Sequence, residues 1–307
     1  MNPPPLPGYI DIQVNGFGGI DYNENHLTAD KLQSSCEKLQ ATGVAGILAT
    51  ITSDQPGAMI NRLANLVKAR SAIPLAQKLI PGIHIEGPYM SGEAGYRGAH
   101  PVEAMKPVDL DVLKKFHDTC QGLLRIVTVA PEMDPGCKGI AFLSQHKITV
   151  SGGHSNASMD QLKAALDAGL SMWTHLGNGC PATMHRHDNI IQRVLSLSGR
   201  IWCCFIGDGV HVPLFALKNY LKAANPDRTI VVTDAVWPAG LGPGRYRMGR
   251  WGDVVIGEDM AIWAPDKSHF LGSASTMPHC RKNLETLGLP TATIDNLLIH
   301  HPAKFIA

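Results

Sequence analysis

Several absences narrow what this sequence can encode. Its 307 residues contain no run of 18 apolar residues, so no transmembrane helix is predicted. The first residues, MNPPPLPG, have neither a basic region nor an apolar stretch, so they are not predicted to be a signal peptide. The formal net charge is only +1, and no block of like charge occurs. We therefore expect neither nucleic acid nor a membrane as a partner.

Cysteine is present, but not in a pattern that indicates disulfides or zinc. The chain has seven cysteines, an odd number, and no C-x-x-C motif. This usage is typical of free thiols in a reducing compartment, so we expect a cytoplasmic protein. The composition is 44% hydrophobic, which suits a large folded core.

Strand-like and helix-like segments alternate along the chain. A helix pattern over Ala29–Thr42 begins at Thr28 and ends at Gly43, and Ser158 with Gln161 forms a predicted capping box. Eight strands are predicted, most of them followed by a helix: Tyr9–Val14, Val44–Thr50, Leu79–Ile85, Leu123–Val129, Lys147–Val150, Met172–Thr174, Ile201–Phe205 and Thr229–Thr233. This order predicts an α/β fold, a (β/α)₈ TIM-like barrel. An open doubly wound sheet is the alternative, but NGFGG after the first strand is not followed by a clear helix.

Polar residues that can bind a metal follow five of these strands. They are Glu86, His154, His175, Asp208 with His211, and Asp234. Each taken alone is more simply read as a hydrogen-bonded structural residue. Together they lie where barrel enzymes place their active sites. A carboxylate and two neutral imidazoles form a zinc site with one position open for water, and Asp234 would then act as base and acid.

The first strand ends in Gln13-Val14-Asn15, and alternation places the two amides on one face. Amides bind zinc poorly beside imidazole or carboxylate. We therefore expect Gln13 and Asn15 to line the site without holding a metal, and a purely structural role in hydrogen bonding is an equally open interpretation.

A series of motifs closely resembles the N-acetylglucosamine-6-phosphate deacetylase family of the amidohydrolase superfamily. In chain order they are PGYIDIQVNGFGGIDYN, GIHIEGPYMSGEAGYRGAHP, VTVAPE, GGHSNAS, THLGNG, IGDGVHV, VTDAVWPAG and LGSASTM. The resemblance extends over nearly all of residues 7 to 305, and together the motifs are highly specific.

The resemblance implies a role for each matching residue. Glu86, His154 and His175 match the metal ligands, Asp234 matches the acid-base, and His100 matches the residue that polarises the substrate carbonyl. The matching substrate contacts are Ala99, Asn178, Gly179, Arg186, His211, Phe270, Leu271 and Gly272. Arg186, with His211, would hold the phosphate.

The resemblance also implies the reaction and its partners. We expect removal of acetate from N-acetylglucosamine 6-phosphate, a small-molecule amino-sugar phosphate, by an enzyme that forms a homodimer. Because the first strand carries Gln-x-Asn, we expect one divalent metal per chain, Zn²⁺ first, with Fe²⁺, Co²⁺ or Mn²⁺ as alternatives.

Two departures from the family pattern are visible. Both halves of the usual small β-sandwich are expected to be missing, which leaves a single barrel domain over residues 1–307 with residues 237–263 as an appendage over its mouth. The segment from Gly179 to Asn189 also differs from the usual wording, so the details of phosphate binding stay open.

Two other functions are compatible with these residues. The same site would serve a deacylase for an unphosphorylated or differently configured N-acyl amino sugar. A barrel kept only as a binding protein would be expected to have lost a ligand or Asp234, and neither is lost.

Overall fold

Eight parallel strands form the centre of the computed structural model, which describes residues 8–247, 252–264 and 270–306. These strands are β1 (Tyr9–Val14), β4 (Val44–Thr52), β5 (Gly82–Glu86), β6 (Leu124–Val129), β7 (Thr149–Gly152), β8 (Leu170–Trp173), β9 (Trp202–Ile206) and β10 (Thr229–Val232). They are hydrogen-bonded in that order in one sheet. The predicted barrel is confirmed, with strand boundaries shifted by a few residues.

The barrel closes between its first and last strands near their carboxyl ends. Val14 forms a parallel bridge with Ala235, and the Asn15 amide donates to the Ala235 carbonyl at 2.7 Å. Two residues before Ala235, the Thr233 hydroxyl donates to the Asp11 carboxylate at 2.5 Å. The contacts that join the first strand to the segment after the last one therefore lie next to Gln13 and Asn15.

Helices follow most of the barrel strands and carry the predicted end signals. They are α1 (Ala29–Ala41), α2 (Pro56–Ser71), α3 (Pro74–Leu79), α4 (Leu110–Thr119), α5 (Lys138–Gln145), α6 (Met159–Ala168), α7 (Ile190–Ser196), α8 (Leu214–Ala223), α9 (Met277–Thr286) and α10 (Thr291–Asp295). Thr28 caps α1, and the capping box of Ser158 and Gln161 begins α6. Within the described ranges, no helix has the length and apolar character needed to cross a bilayer.

Two apolar clusters hold the strands in place. The larger joins the buried faces of the helices, such as Leu32, Leu63 and Leu162, to the strands that they cover. The smaller joins strand residues such as Ile10 and Met172 to Ile306 near the C-terminus. The buried core extends through the barrel, so its strand ends are fixed relative to one another.

Two small antiparallel sheets lie outside the barrel. A hairpin, β2 (Gly16–Phe17) and β3 (Ile20–Asp21), stands where a doubly wound fold would begin a helix. A four-stranded sheet follows the last barrel strand: β11 (Gly244–Arg247), β12 (Asp253–Ile256), β13 (Ala261–Trp263) and β14 (Phe270–Ser273). Its buried residues Val254, Ile256 and Ile262 pack with Val236 and Trp237. The predicted appendage, residues 237–263, overlaps this sheet, and its residues 248–251 lie outside the described ones.

Candidate metal centre and active site

The barrel brings the predicted site residues to one end. Glu86 is the last residue of β5, and His154, His175 and Asp234 each follow a strand by two residues. Because parallel barrel strands share one carboxyl-terminal end, the four side chains meet although up to 148 residues separate them, from 86 to 234.

Three side chains converge on one point. The His175 Nε2 atom lies 2.9 Å from Glu86 Oε1 and 3.1 Å from His154 Nε2. The His154 Nε2 atom lies 3.4 Å from the same glutamate oxygen. All three residues are buried, and their ligand atoms lie within 4.8 Å of one another.

Hydrogen bonding prepares the His154 ring for a cation. Its Nδ1–H donates to the Tyr96 carbonyl at 2.7 Å, which leaves the lone pair on Nε2 facing the cluster. The ring also touches bare backbone, because a Cβ added at Gly98 or Gly179 would lie 3.0 or 2.8 Å from ring atoms. Both glycines have positive φ, so they supply a turn and a close approach together.

The charges at the cluster suit a divalent cation. Burial tends to raise the pKa of Glu86, but its contacts with the His154 and His175 rings outweigh burial and hold that pKa well below its usual value. Burial tends to lower the pKa of His175, but Glu86 raises it overall. A buried anion faced by two imidazole nitrogens is the oxygen and nitrogen donor set that Zn²⁺ accepts. The residues therefore fit one metal ion.

His84 shares the Glu86 strand but belongs to the structure beneath the site. Its ring nitrogens are both engaged, at 3.1 Å from the Ile12 carbonyl and 2.8 Å from the Thr128 hydroxyl. Burial lowers the pKa of His84 to about 4, so the ring is neutral. It has no lone pair left for a metal.

Asp234 lies beside the cluster and is held by the first strand. The Asn15 side chain donates to Asp234 Oδ1 at 2.8 Å, and the Gln13 side chain donates to Glu86 Oε1 at 3.2 Å. Burial, together with the charge of Glu86, raises the pKa of Asp234 to about 6. A carboxyl group with a pKa close to neutrality can both take and return a proton.

The backbone is strained at the residues that carry this chemistry. His154, His175 and Asp234 have φ values of 50°, 30° and 51°, in the left-handed region that side chains other than glycine rarely adopt. Strain of this kind persists only where the surrounding structure imposes it, and it concentrates at functional sites.

The predicted carbonyl-polarising residue adjoins the cluster. The His100 and His154 rings meet edge to face with centroids 4.5 Å apart, and His100 Nε2 lies 4.0 Å from Glu86 Oε2. Ala99, next to it, is half-buried.

The remaining predicted contacts fall into separate groups. Asn178 and Gly179 lie in the turn that begins at His175, and the Asn178 backbone amide donates to the His175 carbonyl at 2.9 Å. The ring of Phe270 packs on His211 with centroids 4.4 Å apart, and Leu271 and Gly272 continue that strand.

Arg186 is placed differently from the other predicted residues. It lies exposed in the segment between β8 and α7. In the part of the chain that the structure describes, it has no hydrogen bond or ion pair.

Two further carboxylates support the site. The sequence pattern predicted no role for Glu132, and it predicted Asp208, with His211, as a residue that can bind a metal. Glu132 accepts hydrogen bonds from the Ser155 hydroxyl at 2.6 Å and the Asn156 amide at 2.7 Å, directly after His154. Asp208 accepts a hydrogen bond from the His211 ring at 2.6 Å. Their only sequence signal is a position just after a strand, within the motifs VTVAPE and IGDGVHV.

A parallel eight-stranded barrel with a buried Glu-His-His cluster and a neighbouring aspartate defines the class of metal-dependent barrel hydrolases, the amidohydrolases. No family model matches the chain. Curated relatives do match it: the chain is 30% identical to the N-acetylglucosamine-6-phosphate deacetylase of Bos taurus, over 98% of this chain and 74% of that protein. The chain belongs to the N-acetylglucosamine-6-phosphate deacetylase family.

Other comparisons agree with this assignment. The Bacillus subtilis N-acetylglucosamine-6-phosphate deacetylase is 33% identical over 82% of this chain, but the match spans only 63% of that protein. The N-acetylgalactosamine-6-phosphate deacetylase of Escherichia coli O157:H7 is 29% identical over 98% of this chain and 77% of that protein. A mutant of the Mycobacterium smegmatis N-acetyl-D-glucosamine-6-phosphate deacetylase, solved in complex with N-acetyl-D-glucosamine-6-phosphate, superposes with a TM-score of 0.82 at 28% identity, over 95% of this chain and 74% of that one.

Proposed function

We propose that this chain hydrolyses the acetamide bond of N-acetylglucosamine 6-phosphate and releases acetate and glucosamine 6-phosphate. The observation that carries this proposal is the convergence of Glu86, His154 and His175 beside a half-buried, strained Asp234. The relatives' names supply the substrate class.

Glu86, His154 and His175 would hold one divalent metal, Zn²⁺ first, with Fe²⁺, Co²⁺ or Mn²⁺ as alternatives. Such an ion lowers the pKa of a water molecule and polarises a carbonyl group. At the end of the first strand, the Gln13 side-chain amide donates to Glu86 and the Asn15 side-chain amide donates to Asp234. We therefore propose one metal per chain, which elemental analysis of the purified protein would measure directly.

The protein residues would move the protons. Asp234 takes a proton from a water molecule while the oxygen of that water bonds to the acetyl carbon. Asp234 then gives the proton to the amine nitrogen as the carbon–nitrogen bond breaks. His100 would donate a hydrogen bond to the carbonyl oxygen while negative charge develops there. Asn15 keeps Asp234 oriented through both transfers.

Substrate recognition would use the residues around this centre. Arg186 is proposed to bind the 6-phosphate, because a guanidinium can pair with phosphate through two hydrogen bonds. Ala99, Asn178, Gly179, His211, Phe270, Leu271 and Gly272 are proposed to contact the sugar.

A second candidate substrate is N-acetylgalactosamine 6-phosphate. The relative from Escherichia coli O157:H7 bears that name and matches this chain over a similar span. Four substrates distinguish the two candidates: N-acetylglucosamine and N-acetylgalactosamine, each with and without the 6-phosphate. Release of acetate from N-acetylglucosamine 6-phosphate at the highest kcat/KM supports our proposal. Faster turnover of the other epimer, or of either unphosphorylated sugar, contradicts it.

Three broader predictions accompany this function. We propose a single barrel domain with residues 237–263 as an appendage, a homodimer, and a cytoplasmic location. Light scattering on the purified protein measures the mass of the assembly, and a monomeric mass would contradict the homodimer.

A further inference from the structure

Asp208 is a fully hydrogen-bonded carboxylate near the site that the proposed reaction leaves without a role. It follows β9 by two residues, its side chain is fully buried, and both of its oxygens are used. Oδ1 accepts from the backbone amides of Val210 and His211, each at 2.9 Å, and Oδ2 accepts from the His211 Nδ1–H at 2.6 Å. One side chain therefore builds the turn and also holds the ring at its end.

The His211 ring is fixed on two sides. Asp208 binds its Nδ1 edge, and the Phe270 ring covers one face with centroids 4.4 Å apart. Phe270 in turn packs on Trp263 at 4.1 Å. Among the described residues, none forms a hydrogen bond with His211 Nε2. His211 follows β9, which lies in the sheet between β8 and β10, the strands that precede His175 and Asp234, so the ring stands at the same end of the barrel as the reacting groups.

A neutral imidazole carries its proton on one nitrogen only, and the partner of one nitrogen decides the role of the other. A carboxylate can only accept, so Asp208 keeps the proton on Nδ1 and turns Nε2 away from itself. Burial tends to raise the pKa of Asp208, but the hydrogen bond from His211 holds it below its usual value, so the carboxylate stays ionised.

We propose that Asp208 is a positioning residue that fixes the orientation and the Nδ1–H tautomer of His211, so that Nε2 is offered to a polar oxygen of the substrate. This inference rests on the proposed function, because it treats His211 as a substrate contact. The oxygen belongs to a hydroxyl group of the sugar, because Nε2 without a proton can only accept a hydrogen bond and an ionised phosphate has none to donate.

Asp208→Asn is the decisive variant. An asparagine keeps Oδ1 for the two backbone amides, but its Nδ2 group donates and therefore favours the opposite ring tautomer. Asp109→Asn is a matched control, since Asp109 Oδ1 accepts from the amides of Asp111 and Val112 at a remote helix start. His211→Ala leaves the turn in place and removes only the ring.

Steady-state kinetics test the proposal first. We expect Asp208→Asn to raise KM for N-acetylglucosamine 6-phosphate by roughly ten- to a hundredfold, with a much smaller change in kcat. Asp208→Asn should add nothing in a His211→Ala background, because the two residues act through one contact. We expect an equal loss with the unphosphorylated sugar, because a hydroxyl is present in both, and a loss confined to the phosphorylated sugar would overturn the proposal. Additive effects, or an unchanged KM in either single variant, would overturn the proposal.

Nitrogen-15 NMR of labelled histidine provides a readout that does not depend on turnover. The His211 signals, identified by their loss in His211→Ala, should show a protonated Nδ1 in the native protein and in Asp109→Asn. Asp208→Asn should move that proton to Nε2. A His211 spectrum in Asp208→Asn that is unchanged from the native protein would contradict the inference. A native protein without deacetylase activity that still shows the Nδ1–H tautomer would contradict the proposed function and leave the hydrogen-bond assignment standing.

Discussion

The metal side and the phosphate side of the candidate site are held in opposite ways. On the metal side, Glu86, His154, His175 and Asp234 are packed into the barrel mouth and bound to one another or to the first strand. On the phosphate side, the segment 180–189 is mostly exposed. Several of its hydrogen bonds are internal, such as those from the Asp188 and Asn189 groups to His185.

This difference separates the residues proposed to catalyse the reaction from those proposed to recognise the substrate. The reacting groups sit on strand ends that the whole core fixes, so their geometry tolerates little change. The residues proposed to recognise phosphate sit on a surface segment, where substitutions are accepted more easily. Within one family, the substrate can therefore change while the metal centre stays the same.

The largest expected effect falls on the metal side. Asp234→Asn keeps an oxygen for the Asn15 amide but cannot take a proton, so we expect kcat to fall by about 10²–10⁴-fold with the metal retained. Turnover assays and elemental analysis on the same sample measure both. Asp160→Asn, on the exposed start of α6, is the control, and near-native turnover in Asp234→Asn would remove it from the mechanism.

Glu86→Gln should act on the metal before it acts on catalysis. The amide keeps the shape of the side chain but removes the only negative charge among the three ligands. We expect metal affinity to fall by more than the roughly 10–100-fold seen when a ligand loses a hydrogen-bond partner. Competition with a chromophoric chelator measures this, and unchanged affinity would mean that the metal binds elsewhere.

Arg186→Ala should have a smaller effect, confined to one class of substrate. Loss of a charge-assisted contact costs about 1.5–3 kcal/mol, or roughly ten- to a hundredfold in kcat/KM, for the phosphorylated sugar only. Arg200→Ala, on an exposed loop, provides a control for loss of positive charge. Equal losses for phosphorylated and unphosphorylated sugars would show that Arg186 supports the structure instead.

The smallest effect concerns the carboxylate beneath the metal side. Burial raises the pKa of Asp11 to about 7, above the value of about 3.9 for an unfolded aspartate. The folded state therefore binds this proton more tightly, so its stabilising contribution is complete below about pH 4 and is lost as pH rises through about 7.

Asp11→Asn should remove that dependence. In metal-stripped protein, we expect the free energy of unfolding to vary less between pH 4 and pH 7 in the variant than in the native chain. Urea denaturation at several pH values provides the comparison, with the exposed Asp160→Asn as reference. Parallel curves for the native and Asp11→Asn proteins would mean that Asp11 is ionised throughout.

Sequence alone located the barrel strands, the capping box that begins α6 and the strand ends where Glu86, His154, His175 and Asp234 stand. These features depend on periodicity and on neighbours a few residues away, so the local sequence carries them. It also placed Gln13 and Asn15 on one face of the first strand.

Only the tertiary structure decided which groups meet. Asn15 reaches Asp234 across 219 positions, and Glu132 supports the residues after His154. Asp208 and His211 lie close in sequence, but their hydrogen bond depends on a particular turn and on the packing of Phe270. Such contacts follow from the stagger of the barrel strands and the path of the loops, and these depend on the packing of the whole core rather than on any short stretch of sequence.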